Sequence, residues 1–423
     1  MTVRQGKTIL TRLLVGLCAL LLMAGAAQAQ FVEPDVTVLT TLTGESPGDG
    51  FGWVGESIGD INNDGASDYV VTAPFSAEAG PGSGKAYVYS GADGSLLNSV
   101  LGTAPAQRFG WSVAAGQDLN GDGVNDYVIG GAPPFQSAAL GRVAAYSGAD
   151  HSMLWEVIGP ANVLFAYDLH MAGDVNGDGK ADVLMGIPVA AGGAGRVDVL
   201  SGPDGSLIWS QFGTPGDLLG FGVGGLEDLN GDNVPDQAGS ALGAGAITGG
   251  FSTGAVYVMD GATGGIFRTL NPNGSGFSFG QFFVHNAGDV DADGVGDIYV
   301  GDFGDIKGGR GYVFSGDEDE RLRLFNAENA SDGLGMGRGA GDIDGDGHDD
   351  LLIGAYLSSE GAFQAGKCWV FSGKNGRTLR SFTSTVVNAQ IGFDVARLED
   401  VNSDGLTDFL LTGQGISFVV AGN

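Results

Sequence analysis

One acidic nine-residue pattern recurs seven times along the chain and constrains the fold more than any other feature of the sequence. The pattern is Asp-x-[Asn/Asp]-x-Asp-x-x-x-Asp, and its copies occupy residues 60–68, 118–126, 174–182, 228–236, 289–297, 342–350 and 400–408. Successive copies begin 53 to 61 residues apart, a spacing too regular for chance. Such a period is typical of repeat architectures. The 423 residues are therefore expected to form one repeat array, not the two or three domains that length alone suggests.

Every repeat contains the same succession of short apolar segments. In the second repeat these segments are 109–116, 126–133, 141–148 and 152–159, separated by the acidic loop and by glycine-rich turns. The segments show no helical periodicity, which favours strands. Four short strands in each of seven repeats predict an all-β fold, a seven-bladed β-propeller.

The two ends of the array are incomplete in complementary ways. The last repeat lacks a fourth strand, and an additional strand-like segment, 36–44, precedes the first repeat. We expect this N-terminal strand to close blade seven, because an unpaired sheet edge invites aggregation. The propeller is then expected to occupy residues 30–423.

Residues 1–29 have the features of a secretory signal peptide. Arg4, Lys7 and Arg12 precede an apolar run at 13–25, and Ala27-Gln28-Ala29 is a small-residue cleavage site. A membrane anchor is the alternative, but the run is shorter than the roughly 20 residues of a spanning helix. We expect a protein that is secreted, extracellular or on the cell surface, with a periplasmic location as a further option. No transmembrane segment is expected after cleavage.

The charge balance excludes one class of partner and favours another. The chain has 50 acidic and 19 basic residues, which gives a net charge of −31. Such an acidic surface repels phosphate backbones, so nucleic-acid binding is not expected. Carboxylates do attract hard cations. The two cysteines are too few for a disulfide scaffold.

The acidic loops have the residue types and spacing of calcium sites. Side-chain oxygens stand at positions 1, 3, 5 and 9, and position 7 offers its backbone carbonyl. Glycine at position 6 permits a sharp turn in six loops, and Asn233, which replaces it in the fourth, tolerates the same conformation. A large oxygen-seeking cation fits better than magnesium or a transition metal. The loops are not EF-hands, because position 12 is never acidic.

We therefore predict up to seven structural calcium ions. The predicted ligands, loop by loop, are Asp60, Asn62, Asp64, Ala66 and Asp68; Asp118, Asn120, Asp122, Val124 and Asp126; Asp174, Asn176, Asp178, Lys180 and Asp182; Asp228, Asn230, Asp232, Val234 and Asp236; Asp289, Asp291, Asp293, Val295 and Asp297; Asp342, Asp344, Asp346, His348 and Asp350; and Asp400, Asn402, Asp404, Leu406 and Asp408. His348 would contribute only its carbonyl, with its side chain facing solvent. The alternative, metal-free Asp-Gly turns, leaves the aspartate at position 9 of every copy unexplained.

Three elements of the second repeat together resemble the FG-GAP repeat, the unit of the integrin α-subunit N-terminal β-propeller. They are Phe109-Gly110, the acidic loop, and Gly131-Ala132-Pro133. The resemblance covers essentially the whole chain after residue 29. It implies calcium loops between the first two strands of each blade, on a lower face, and ligands on the opposite, upper face. Integrin stalk, transmembrane and cytoplasmic segments find no match, so heterodimer formation and signalling are not expected.

No catalytic constellation stands out in the sequence. The four histidines, His151, His170, His285 and His348, show no metal-ligand spacing. Similarity to the repeats of some calcium-bearing polysaccharide lyases leaves an enzymatic alternative, which needs a base and cationic residues facing the substrate. Basic residues in or near predicted upper-face loops are Arg108, Lys307, Arg310 and Arg338.

Aromatic residues after the second strand of several blades are candidate ligand-binding residues. They are Phe75, Phe135, Phe251, Phe303 and Tyr356. They either pack against the neighbouring blade or form contacts for a sugar or protein. The favoured function is a monomeric, non-catalytic adhesion or recognition module for an extracellular protein or glycan. The alternatives are a structural component of an exported surface assembly and a calcium-dependent polysaccharide-active enzyme.

Overall fold

The computed structural model describes residues 30–245, 247–248, 251–272 and 278–422, without the side chains of residues 247, 248 and 251. The predicted signal peptide lies outside this description. The described chain is nearly all strand, and its one helical element is the 3-10 turn Ala190–Gly192.

The strands form seven four-stranded antiparallel sheets and one small hairpin. The strands up to the third blade are β1 (Val38–Thr43), β2 (Gly55–Gly59), β3 (Asp68–Ala73), β4 (Lys85–Tyr89), β5 (Leu96–Leu101), β6 (Phe109–Gln117), β7 (Asp126–Gly131), β8 (Gly141–Tyr146), β9 (Met153–Gly159), β10 (Asp168–Gly173), β11 (Asp182–Ile187), β12 (Arg196–Leu200) and β13 (Leu207–Phe212). Those of the fourth and fifth blades are β14 (Leu219–Gly225), β15 (Gln237–Ala241), β16 (Ile247–Thr248), β17 (Phe251–Ser252), β18 (Ala255–Met259), β19 (Ile266–Leu270), β20 (Val284–Gly288), β21 (Asp297–Asp302), β22 (Arg310–Phe314) and β23 (Arg321–Asn326). The remaining strands are β24 (Leu334–Gly341), β25 (Asp350–Ala355), β26 (Lys367–Phe371), β27 (Thr378–Thr383), β28 (Asp394–Arg397), β29 (Phe409–Gly413) and β30 (Ile416–Val420).

The sheets are arranged in a closed ring. Within each of the first six blades the strands pair in chain order, with the β16–β17 hairpin inserted in a loop of blade four. The first strands of the seven blades contact one another in cyclic order, and β28 of the last blade contacts β2 of the first. These strands therefore surround a central channel. The predicted seven-bladed β-propeller is confirmed.

Blade seven is completed by the N-terminal strand, as the sequence predicted. Its strand order is β1-β30-β29-β28. β1 runs antiparallel to β30, with Thr41 opposite Phe418. Phe31, just before β1, packs its ring at 5.2 Å from that of Phe418. The two ends of the described chain thus share one sheet and one apolar core.

The residue at the first position of the Phe-Gly element fills the core between blades. It is buried in all seven repeats: Phe51, Phe109, Phe165, Leu219, Phe279, Leu334 and Ile391. Close backbone packing accompanies it. At Gly84, whose φ is +88°, a Cβ atom would lie 2.1 Å from the carbonyl oxygen of Phe109. The glycine before the third strand is therefore required so that the next blade can approach.

Outer strands are joined to the following blade by side-chain donors. Trp209 of β13 donates its indole N–H to the Gly261 carbonyl at 2.7 Å, and Arg268 of β19 donates to Gly316 at 2.8 Å. Both acceptors are glycines in the turn after the third strand of the next blade. The bonds hold blades together at the lower rim, away from the central channel.

We expect Trp209→Phe to lower the free energy of unfolding by about 1 kcal/mol, since it removes one such hydrogen bond and keeps an aromatic ring. Leu207→Ala on the same strand is the control, because Leu207 is 57% exposed and has no donor. Urea unfolding followed by far-ultraviolet circular dichroism gives both values. Equal stability of the two variants would contradict the bracing role.

Candidate metal loops and central cavity

The seven acidic loops share one face of the propeller. Each connects the first strand of a blade to the second, as residues 60–68 do between β2 and β3. This is the position that the sequence predicted, and we name the face that carries the loops the lower face. The Phe-Gly elements lie at the opposite end of the first strands, on the upper face.

The loops have a common internal geometry. In all seven, the aspartate at position 1 accepts the backbone N–H of position 6, as Asp118 does from Gly123 at 2.8 Å. Position 6 has a positive φ throughout. Asn233 of the fourth loop adopts φ +69°, which confirms that asparagine can take the place of glycine here. All seven loops therefore curl in the same way.

Carboxylate oxygens converge within the loops. One oxygen from each of Asp289, Asp291 and Asp297 lies within 4.8 Å of the others. The same holds for Asp342, Asp344 and Asp350 in the sixth loop. These oxygen-only donor sets fit a hard divalent cation. The other five loops have asparagine at position 3, so they offer an amide oxygen in place of one carboxylate.

The aspartate at position 9 also has a structural role that needs no ion. Asp126 accepts the N–H of Leu119 at 2.8 Å and that of Gly148 at 2.9 Å, one on each carboxylate oxygen. The equivalent aspartate makes the same two bonds in every blade and is fully buried. The sequence analysis attributed the recurrence of this aspartate to metal binding alone. The two backbone hydrogen bonds are a second reason for it.

Burial and neighbouring acids disfavour the charged form of these aspartates. Desolvation, followed by the charges of other aspartates in the same loop, raises the pKa of Asp68, Asp126, Asp182 and Asp236 to about 6. The pKa of Asp297 is raised to about 7. A cation in the loop would oppose this effect.

The glycine that donates to the position-9 aspartate cannot be replaced without a clash. A Cβ atom on Gly148 would lie 1.9 Å from the Asn125 carbonyl oxygen. The distance is between 1.8 and 2.1 Å at all seven equivalent glycines, which are Gly91, Gly148, Gly202, Gly261, Gly316, Gly373 and Gly422. The loop and the turn after the third strand are thus one packed unit.

The side chain of His348 is only partly exposed to solvent, and it makes a contact that the sequence did not predict. Its Nδ1 lies 2.9 Å from the carbonyl oxygen of Val290 in the loop of the preceding blade, and the ring is half-buried. The imidazole N–H therefore joins two neighbouring acidic loops. The contact uses the side chain only, so the backbone carbonyl of His348 is still the group that the sequence predicts as a metal ligand.

A continuous circuit of aromatic side chains surrounds the upper mouth of the channel. Successive ring centroids are 4.6 to 6.5 Å apart around the circuit. We name it the aromatic collar; it consists of Trp53, Trp111, Tyr167, Phe282, Phe283, Phe303, Tyr356 and Phe393. The residue directly after the Phe-Gly position supplies four members, a signal in the sequence that the prediction overlooked.

Four of the five predicted ligand-binding aromatics have described side chains, and these four divide into two groups. Phe303 and Tyr356 belong to the collar, and Phe75 packs against Trp53 at 5.5 Å. Phe135 is 54% exposed and makes no ring contact with another aromatic side chain among the described residues. The side chain of Phe251 lies outside the described part of the chain.

A polar cluster lies below the collar, on the first strands of five blades. We name it the floor cluster; it consists of Glu56, Asp168, His170, His285, Arg338 and Asp394. Together with collar side chains these residues line a central cavity of about 250 Å³. Arg338 was predicted near an upper-face loop, and this was wrong, because it lies within β24 and faces the cavity.

Arg338 is the centre of the charged part of the floor cluster. Its guanidinium pairs with Glu56 and, at 3.1 Å, with Asp394. Asp168 instead accepts backbone N–H groups from Val223 at 2.9 Å and Leu169 at 3.1 Å. Two of the three carboxylates thus share the single positive charge of the arginine, and the third accepts backbone N–H groups.

Burial disfavours the charged form of the two histidines of the floor cluster. Nε2 of His170 and Nδ1 of His285 are 3.4 Å apart. Burial lowers the pKa of His170 to about 4, and burial with the nearby charge of Arg338 lowers the pKa of His285 well below its usual value. Neutral imidazoles can both donate and accept hydrogen bonds.

The other basic residues that the sequence singled out do not join this cluster. Arg108 stacks over the rings of Trp111 and Phe75, at 5.0 and 5.4 Å. Arg310 begins β22 and pairs with Asp305 at 3.5 Å. Among the described residues, no helix is both long enough and apolar enough to span a membrane.

Comparison with known proteins matches parts of the chain to a known family of repeats. The model of the FG-GAP repeat matches residues 165–200 and 339–371, and that of the FG-GAP-like repeat matches 60–129. Integrin alpha-8 of Mus musculus is 32% identical over 186 residues, 39% of this chain and 17% of that protein. Integrin alpha-V of Gallus gallus is 29% identical over 245 residues, 48% of this chain and 21% of that protein.

One relative carries the name of an enzyme. Phosphatidylinositol-glycan-specific phospholipase D of Bos taurus is 33% identical over 172 residues, 36% of this chain and 20% of that protein. The matches to these three relatives cover about a fifth of each relative's length. The similarity therefore concerns the propeller repeats and not the whole proteins.

Proposed function

We propose that this chain, which is an FG-GAP repeat protein similar to integrin alpha subunits over its propeller, is a secreted, non-catalytic recognition module for an extracellular protein or glycan. The observation that carries the proposal is the division between its two faces. The lower face carries seven acidic loops, whereas the upper face opens into an aromatic-lined cavity. Concave, aromatic-rich surfaces with a few polar groups are the usual form of a binding site.

Calcium would serve the scaffold in this proposal. In each loop the side chains at positions 1, 3, 5 and 9, with the carbonyl of position 7, would hold one ion. The ion would neutralise carboxylates that otherwise repel one another and would fix the loop against the turn after the third strand. The binding face lies at the other end of the blades, so its shape would depend on calcium only through the fold.

A binding screen tests the proposal. The monomeric chain from residue 30 onward is applied in calcium to arrays of extracellular proteins and glycans, and again after chelation. We expect at least one saturable ligand in calcium and its loss in chelator. Calcium-driven self-association without any ligand would instead point to a structural component of an assembly and would contradict the proposal.

A further inference from the structure

The central cavity is ordered by depth. Along the first strand of a blade, the collar residue comes first and the floor residue lies one to three positions later, as in Tyr167-Asp168 and Phe393-Asp394. A strand advances about 3.3 Å per residue. A group that enters from the upper face therefore meets aromatic ring faces before it reaches hydrogen-bonding groups.

The central cavity is small. Its volume of about 250 Å³ lies just below the roughly 300–1,000 Å³ of typical small-molecule sites. The collar is also fixed in place: Trp53 donates its indole N–H to the Trp111 carbonyl at 3.1 Å. A rigid, preformed wall lowers the entropic cost of holding a ligand.

The floor cluster presents charged groups of both signs to a ligand. An anion would face three carboxylates, those of Glu56, Asp168 and Asp394. A cation would approach the guanidinium of Arg338, which already pairs with two of those carboxylates. Both ring nitrogens of His170 already have protein partners. What remains to a ligand is the spare acceptor capacity of Asp168, whose oxygens each accept one backbone N–H, and the Nε–H of Arg338, which has no hydrogen-bond partner among the described residues. Groups that both donate and accept match this floor best, and hydroxyl groups do so.

We propose that the central cavity binds one neutral sugar residue, with a face of the ring against the aromatic collar and its hydroxyl groups on Asp168. This inference rests on the proposed recognition function and adds to it a site and a ligand class. The residue at the end of a glycan would enter from the upper face. Substitution of Trp53 tests the apolar part of the site, and substitution of Asp168 tests the polar part.

Calorimetric titration of the chain with methyl glycosides of neutral hexoses and N-acetylhexosamines tests the proposal, in calcium and with tryptophan fluorescence as a second readout. We expect saturable 1:1 binding of at least one glycoside. Trp53→Ala and Asp168→Asn should each weaken binding at least tenfold. Phe363→Ala is the matched control, an upper-face aromatic that is 64% exposed and outside the collar, and it should bind as the parent does. Unchanged thermal unfolding in calcium shows that each variant is folded.

Several results would overturn the assignment. Glycoside binding that survives both substitutions places the sugar site elsewhere and leaves the recognition function intact. Preference for arginine methyl ester or choline over every glycoside makes the cavity a cation site. A protein ligand found without any glycoside binding also rejects the sugar. If neither proteins nor glycans bind, the proposed function itself fails.

Discussion

Calcium is expected to raise the unfolding midpoint of the chain by a large amount, with about seven ions bound per molecule if every predicted loop is filled. Each loop brings at least three carboxylates together, and they repel one another without a counterion. A ligand that binds only the folded state adds about 2.7 kcal/mol at a concentration one hundred times its Kd. Several such sites in one cooperative ring make this the largest stability effect that we expect.

Scanning calorimetry in calcium and then in excess chelator measures the shift, and metal analysis after dialysis gives the stoichiometry. Magnesium at the same concentration is the control, because its demand for regular octahedral coordination suits these irregular loops poorly. The fourth loop, with Asn233, is expected to bind most weakly. No shift and no bound metal would show that the seven loops are turns only.

Asp126→Ala is expected to destabilise the protein even in chelator, whereas Asp122→Ala is expected to act mainly through calcium. Removal of Asp126 leaves the buried N–H groups of Leu119 and Gly148 without an acceptor, at about 1–3 kcal/mol each. Asp122 lies on the exposed side of the same loop, where its partners Val124 and Asn120 can turn to water. Two aspartates four residues apart thus separate the structural from the metal-binding role.

The pair is compared by unfolding in chelator and in calcium. In chelator, Asp126→Ala should lose several kcal/mol and Asp122→Ala less than about 1 kcal/mol, the usual limit for exposed sites. In calcium, Asp122→Ala should bind one ion fewer than the parent chain. Asp126→Asn, which retains one acceptor oxygen, should fall between Asp126→Ala and the parent. Equal losses for the two alanine variants in chelator would contradict the division of roles.

The fold could be predicted from the sequence because its information is local and repeated. The acidic loop, the Phe-Gly element and the strand lengths recur in every copy, so a weak copy such as the one at Asn233 is supported by the others. Even the closure of blade seven could be inferred by counting strands. The collar was only partly foreseen: Phe303 and Tyr356 were named, but Trp53 and Trp111 were not.

The floor cluster could not be predicted, because its members come from five blades and differ in residue type. Glu56, His170, His285 and Arg338 all stand four residues before their acidic loops, but one is an acid, two are imidazoles and one is a base. Their position recurs, but no shared residue type marks it. Only closure of the ring brings His170 and His285 into contact. The structural role of the position-9 aspartate was not predicted either, because metal binding alone already explained why this aspartate recurs in all seven copies.

The shared sheet of β1 and β30 has a consequence for the order in which the protein is made. β1 is the first of the described strands and β30 is the last, and β30 is the one described strand that pairs with β1. Until β30 emerges, β1 is an unpaired strand and the completed blades form an open arc, with the sheet edges and apolar faces at both ends uncovered. Such non-local pairing is slow, and the waiting chain is exposed to aggregation. We therefore expect the chain to be most exposed to aggregation in the interval before the final blade forms.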